Sequence, residues 1–432
     1  MSATVMEAEV AAPQPPRDTA LAAPPAGERI RSIDVVRGLN ILVMIFVNDL
    51  AGVTGAPGWM KHIQPPHADG MTFVDVVFPA FLFIVGLSIP IALEKRLARG
   101  ALGGTLRHVG ARVLGLLVLG VFMVNAEDIS SAGVLSPHLW TLLVYLSACA
   151  VWVAIPAEAT LGARARLAIR LGGVAALTAL ALLFRGSGPP GLIELEHSWW
   201  GILGLIGWAY LVASGFYLLF RGNLPALLGG VVLLYGLFIA DAAGAFNGLT
   251  WITHWVAIGS MLGSHAALTL SGAVFGAVLL PTSGVQGHAA RIRWAIGYGL
   301  FLAAAAWLLH SAADVHKMFI VNKIAATPAW CLYSAAITMG FWVVFYWLLD
   351  VRGHTRGTTM LERAGQNALL AYILAPIAYD AMDLVAGAVG AKNPFWTMGA
   401  SFWPGFARAI VFAVLMTWGA AWARKRKFVL KL

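Results

Sequence analysis

Only two cysteines, Cys149 and Cys331, occur in the chain, and both stand in apolar runs. That excludes a disulfide framework and the repeated Cys/His spacing of a structural zinc site. Charge is scarce as well: 11% of residues are Asp, Glu, Lys or Arg, too few to clothe a soluble domain of this size. Acid is the scarcer sign, 20 residues against 29 Lys and Arg, yet the net charge of +9 is spread over short connections and forms no continuous stripe, so nucleic acid is not an expected partner. The first 28 residues lack the basic-then-apolar pattern of a secretory leader; they are rich in Ala and Pro and carry Glu7, Glu9 and Asp18. They are expected to be a disordered cytoplasmic tail, residues 1–28, ahead of one membrane domain, residues 29–432.

What the chain has in abundance is hydrocarbon: 59% hydrophobic residues, a mean hydropathy of +0.79, and 17 Trp suited to the membrane interface. A bilayer core takes about 20 helical residues. Apolar runs of that order lie near 38–53, 74–93, 109–126, 138–156, 167–184, 200–220, 225–243, 264–281, 293–311, 329–349, 367–386 and 404–423. The fold class predicted is therefore all-α, a polytopic integral membrane bundle of about 10–12 transmembrane helices. With both termini cytoplasmic, basic residues collect on that side, and only Lys61, Arg185, Lys317, Lys323, Lys392 and Arg408 of the 29 fall on the outer side. No internal repeat is evident.

Residues 31–90 break the apolar monotony. Asp34 and Arg37, three apart at a helix start, share a face and can neutralise each other at the membrane boundary. Asn48 ends the first run and offers amide donors for an oxyanion. His62 and His67 follow in a loop with Pro65, Pro66 and Gly70, where an imidazole can act as a base. Asp75 opens the second run four residues before Pro79, placed to cap the helix and to orient a histidine. Each residue also has a plain structural reading: an ion pair, a helix end, a solvated loop side chain. Asp241, Asp380 and Asp383, near the outer ends of late runs, read as interfacial or as acceptor-binding. His310 and His316 flank Asp314 at a spacing that is not that of a zinc site, and no metal is expected.

The text of this stretch resembles a family of transmembrane acyltransferases related to heparan-α-glucosaminide N-acetyltransferase, in the manner of its bacterial-type members. The matching segments are Arg31 to Gly38, Met44 to Asn48, Lys61-His62, Gly70 to Thr72, Asp75 to Pro79 and Phe81 to Gly86; weaker matches follow at Val321-Asn322-Lys323, Thr327-Pro328, Gly365, Asn367, Leu369 and Tyr372. The resemblance implies transfer of an acetyl group from cytoplasmic acetyl-CoA to an amino sugar or other glycan acceptor outside. It implies Asn48 and His62 as catalytic residues, and Asp75, from its own place at the start of the second run, joins them as a catalytic candidate. The histidine spacing departs from the family's pattern: the expected place is Pro65, so an insertion after His62 is needed and His67 stands as the fallback. Arg37, Arg352 and Arg356 are the expected partners of the donor's phosphates, and the acyl-CoA, the glycan acceptor and membrane lipids are the expected partners, with a homodimer compatible. The implied location is the bacterial cytoplasmic (inner) membrane. A bundle with buried polar residues also fits a secondary transporter or flippase without acyl-transfer activity.

Overall fold

The computed structural model describes residues 29–131, 133–156, 161–186 and 191–432, so the tail expected over residues 1–28 lies outside them. The described residues are helical and contain no strand, only an isolated bridge between Val153 and Leu430. The long helices are α1 (Arg31–Ala51), α2 (Phe73–Leu97), α3 (Leu102–Asn125), α4 (Pro137–Trp152), α5 (Ala163–Leu183), α6 (Ile202–Phe220) and α7 (Leu224–Ala242). They continue with α8 (Ile258–Val278, opened by a π-helical turn), α9 (His288–His310), α10 (Pro328–Val351), α11 (Ala368–Ala388) and α12 (Phe402–Lys425).

Among the described residues ten helices are long and apolar enough to cross a membrane, and the protein is a multi-pass integral membrane protein. The apolar runs of the sequence all reappear as helices. Two of the long helices fall outside the ten for different reasons. Helix α4 is short, and α1 carries Asp34, Arg37 and Asp49 within its 21 residues. The helix start read at Asp34 and Arg37 is present, with α1 beginning at Arg31, whereas Asn48, expected to end the first run, lies inside the helix, which continues through Asp49 to Ala51. The charges that conceal it are neutralised inside the fold: Asp34 meets both Arg29 and Arg37, and Asp49 meets Arg408.

Helices α2 and α8 form the axis of the bundle, with 72% and 94% of their central residues buried, against 17% for α5 at the periphery. Lipid tails are as apolar as Leu, so close van der Waals packing must hold these helices together. Small residues permit it. A Cβ on Gly86 of α2 would stand 1.8 Å from the Thr269 carbonyl oxygen of α8, and one on Gly272 of α8 would stand 2.1 Å from that of Phe83. Gly86→Ala therefore forces the two central helices apart. A loss of at least about 1–3 kcal/mol is expected, read as a fall in the melting temperature of the detergent-solubilised protein; an unchanged melting point would refute this account of the contact.

Candidate active site

The connection between α1 and α2, residues 52–72, folds over one end of the bundle. Thr72 and Asp75 form a reciprocal capping box at the start of α2. This orients the Asp75 carboxylate back towards the loop, where its Oδ2 accepts from the backbone amides of Thr72 (2.9 Å) and Ile63 (3.1 Å). Its Oδ1 lies 2.6 Å from His62 Nδ1. Asp75 thus caps a helix and holds an imidazole at once, and its side chain is only 1% exposed while that of His62 is 43% exposed. A carboxylate on Nδ1 favours the tautomer with the proton there, leaving Nε2 free to accept.

Pro79 lacks the N–H that would bond the Asp75 carbonyl one turn earlier. The indole of Trp330, at the start of α10, supplies the donor instead, at 3.1 Å. Asn40 of α1 similarly donates to the Val77 carbonyl at 3.0 Å. The break that Pro79 leaves in the α2 ladder is in this way closed by a side chain from α10, and Asp75 is held through both its carbonyl and its carboxylate.

The loop ahead of α10 delivers a residue that sequence reasoning missed as a site residue. Lys323 Nζ lies 3.0 Å from His62 Nε2 and 3.3 Å from Nδ1. Burial pulls its ammonium below the ordinary lysine range, and the negative charge of Asp75 opposes that shift. Sequence reading counted Lys323 as an outer-side topology charge, although Val321-Asn322-Lys323 already carried the resemblance. Asn322 explains the neighbouring match: its buried amide donates to the Pro66 and Ala68 carbonyls, tying the two loops together. Asp69 adds to this clamp through Val321 N and His310 Nε2, both at 2.8 Å.

Behind Lys323 opens a cavity of about 880 Å³ at the same end of the bundle, walled by α1, α2, α3, α4, α6, α8, α10 and α11. Its lining is largely apolar, with Asn48, Glu127, Tyr145, His265, Lys323, Tyr372 and Asp380 among the polar exceptions. Asn48 is exposed, and its amide has no hydrogen-bonding partner among the described residues. His62 is not part of that lining; Lys323 is the residue in contact with the imidazole and with the cavity. A second cavity, of about 410 Å³ and almost wholly apolar, lies along α1, α2 and α10, from Val36 and Ile84 to Met71 and Thr72.

The model of a family described as a domain of unknown function, DUF5009, matches residues 29–249 of the chain. The chain belongs to the DUF5009 family. It is also similar to the heparan-alpha-glucosaminide N-acetyltransferases of Homo sapiens, at 35% identity over 99 residues, and of Mus musculus, at 36% over 104. These matches cover 22% and 23% of the chain and 14% of each relative, so the chain spans a small part of the curated relatives it matches.

The other residues singled out in this DUF5009 protein are placed as follows. His67 is exposed in the turn after Pro66 and is bonded to nothing among the described residues. Arg37 is inside the fold: its guanidinium donates to Asp34 and to the Gly365 carbonyl, both at 3.2 Å, and to the Ser88 hydroxyl at 2.5 Å. Arg352 and Arg356 are exposed in the segment after α10, the guanidinium of Arg352 lying 4.9 Å over the Trp347 ring. Asp350, just before them, accepts from the amides of Arg31 (2.8 Å) and Ser32 (3.0 Å) and so caps α1 from a distant helix. No local pattern announces that pairing. His62, Asp75 and Lys323 are brought together; Asn48 joins them through the cavity; the arginines lie at the other end of α1 and α10.

Proposed function

We propose that this protein is a transmembrane acyltransferase that takes an acetyl group from acetyl-CoA and passes it to an amino sugar or other glycan acceptor on the far side of the membrane. The contact of His62 with both Asp75 and Lys323, beside a cavity that also holds Asn48, is the observation that carries this reading. The partial similarity to the two N-acetyltransferases supports the donor and the acceptor class.

In this reading both termini are cytoplasmic, the membrane is the bacterial inner membrane, and the arginine end faces the cytoplasm. Arg352 and Arg356 meet the donor's phosphates, while Arg37, already engaged by Asp34, Ser88 and Gly365, braces the helix pair beneath them. The apolar groove along α2 covers Thr72 to Ile84, about 18 Å of helix. It gives the pantetheine arm a path from the arginine end to the histidine end. There, Lys323 and Asn48 polarise the thioester oxygen, and His62, held by Asp75, removes the acceptor's proton or first takes the acetyl group itself.

Proteoliposomes loaded with labelled acetyl-CoA and offered glucosamine outside test the proposal. Label on the external sugar is the expected result. Uptake or efflux of sugar without label transfer would sink it and favour the transporter reading.

Because the Lys323 ammonium must be charged to stabilise an oxyanion, transfer is expected to fail on the alkaline side at a pH below that of an ordinary lysine, in the direction set by its burial. A guanidinium stays protonated, so Lys323→Arg moves the alkaline limb upward and Lys323→Met removes it together with most of the rate. A pH–rate profile checks this; an alkaline limb that stays put in Lys323→Arg assigns the titration to another group.

A further inference from the structure

Three aspartates stand near the ends of late helices, and the structure separates them. Asp241 accepts from the Gly259 amide at 2.8 Å, and Asp383 is taken by Asn393 and the Trp396 indole. Asp380 alone of the three lines the large cavity, with its Oδ1 2.9 Å from His138 Nδ1. Glu127, in the turn two residues past α3, lines the same cavity, and its carboxylate has no hydrogen-bonding or ion-pair partner among the described residues. Tyr145 of α4 is 3% exposed and also lines it, and its hydroxyl likewise has no partner among the described residues. The residue is otherwise buried and its hydroxyl is left free at the cavity wall, where a polar ligand can reach it. Glu127, Tyr145 and Asp380 thus line one and the same cavity.

We infer that the part of the cavity formed by α3, α4 and α11 is a subsite for a cationic, hydroxylated acceptor, in which Glu127 and Asp380 hold an ammonium group and Tyr145 bonds a neighbouring hydroxyl. This rests on the acyl-transfer reading for what happens next, though not for binding. The ammonium is the form of an amine present at neutral pH, and it is not a nucleophile. The Asp380–His138 pair takes its first proton and releases it to solvent. The amine nitrogen then forms its bond to the acetyl carbon as the C–S bond breaks. The second proton passes through His62 to the departing CoA sulfur, so that the ammonium and the thioester yield an amide, a thiol and one proton.

The test uses purified full-length protein in detergent and two probes that differ in one group, glucosamine and glucose, with acetyl-CoA binding measured in parallel. Glucosamine is expected to bind at least about tenfold more tightly, the worth of one charge-assisted hydrogen bond. The preference is expected to vanish in Glu127→Gln/Asp380→Asn and to persist in Asp383→Asn. Should loss of His138's partner prevent folding, Glu127→Gln alone, at an exposed side chain without a protein partner, must still weaken glucosamine and spare glucose. Equal binding of the two sugars by the wild type, or a preference that survives these changes, overturns the subsite. A preference that behaves as expected in a protein that neither binds nor uses acetyl-CoA overturns the acyl-transfer reading and leaves the subsite in place.

Discussion

His62→Ala is expected to lower acetyl transfer by about 10²- to 10⁴-fold, the usual worth of a positioned general base, while His67→Ala retains nearly the wild-type rate. The two histidines share a loop but not a chemical setting. His62 has a carboxylate on Nδ1 that is itself pinned by two backbone amides, and an amine on Nε2. His67 is solvated and bonded to nothing among the described residues. Asn48→Ala is expected to cost about 10²- to 10³-fold, as loss of one oxyanion donor does, with donor binding retained. Transfer assays at saturating acetyl-CoA separate these outcomes. Equal loss in the two histidine variants would mean that the loop matters only for its shape.

The largest effect on stability is expected at Asp49 and Arg408, one residue from Asn48. Their side chains are 0% and 4% exposed, with Arg408 Nε 3.0 Å from the carboxylate and the guanidinium 4.5 Å over the Phe395 ring. Tyr379 donates to the other carboxylate oxygen at 3.0 Å. Removing one member strands the other away from water, which costs about 3–5 kcal/mol, whereas replacing both by apolar side chains of similar size is often neutral. Arg408→Leu is accordingly expected to abolish the folded peak in size-exclusion chromatography. The double change Asp49→Leu/Arg408→Leu is expected to restore much of it. A single variant that melts with the wild type would show that water or lipid headgroups reach Asp49.

Apolar runs placed every long helix, because helix length and hydrocarbon content are local properties and the bilayer demands both. Charge was harder to read. Asp34 and Arg37 were legible as a self-neutralising helix start, but the further partners of Arg37, the Gly365 carbonyl ahead of α11 and the Ser88 hydroxyl of α2, lie far along the chain and leave no local mark. Lys323 and Arg408 were read as topology signals for the same reason: a basic residue carries no mark that says whether a loop or a buried carboxylate receives it. The pairing of Asp75 with a histidine was legible from the cap position and the family text. The indole that replaces the missing Pro79 donor was not, since Trp330 is 255 residues away.

Helix α10 begins with Trp330 on the carbonyl of Asp75 and ends with Asp350 on the first amides of α1. Its 24 residues span about 36 Å. A helix is stiff along its axis, so a shift of α10 moves the indole under the His62–Asp75 pair and the carboxylate beside Arg352 by the same distance. The two ends of the bundle therefore share one mechanical coordinate, and in the acyl-transfer proposal a rod of the protein's own backbone gauges the distance between donor phosphates and reacting carbonyl.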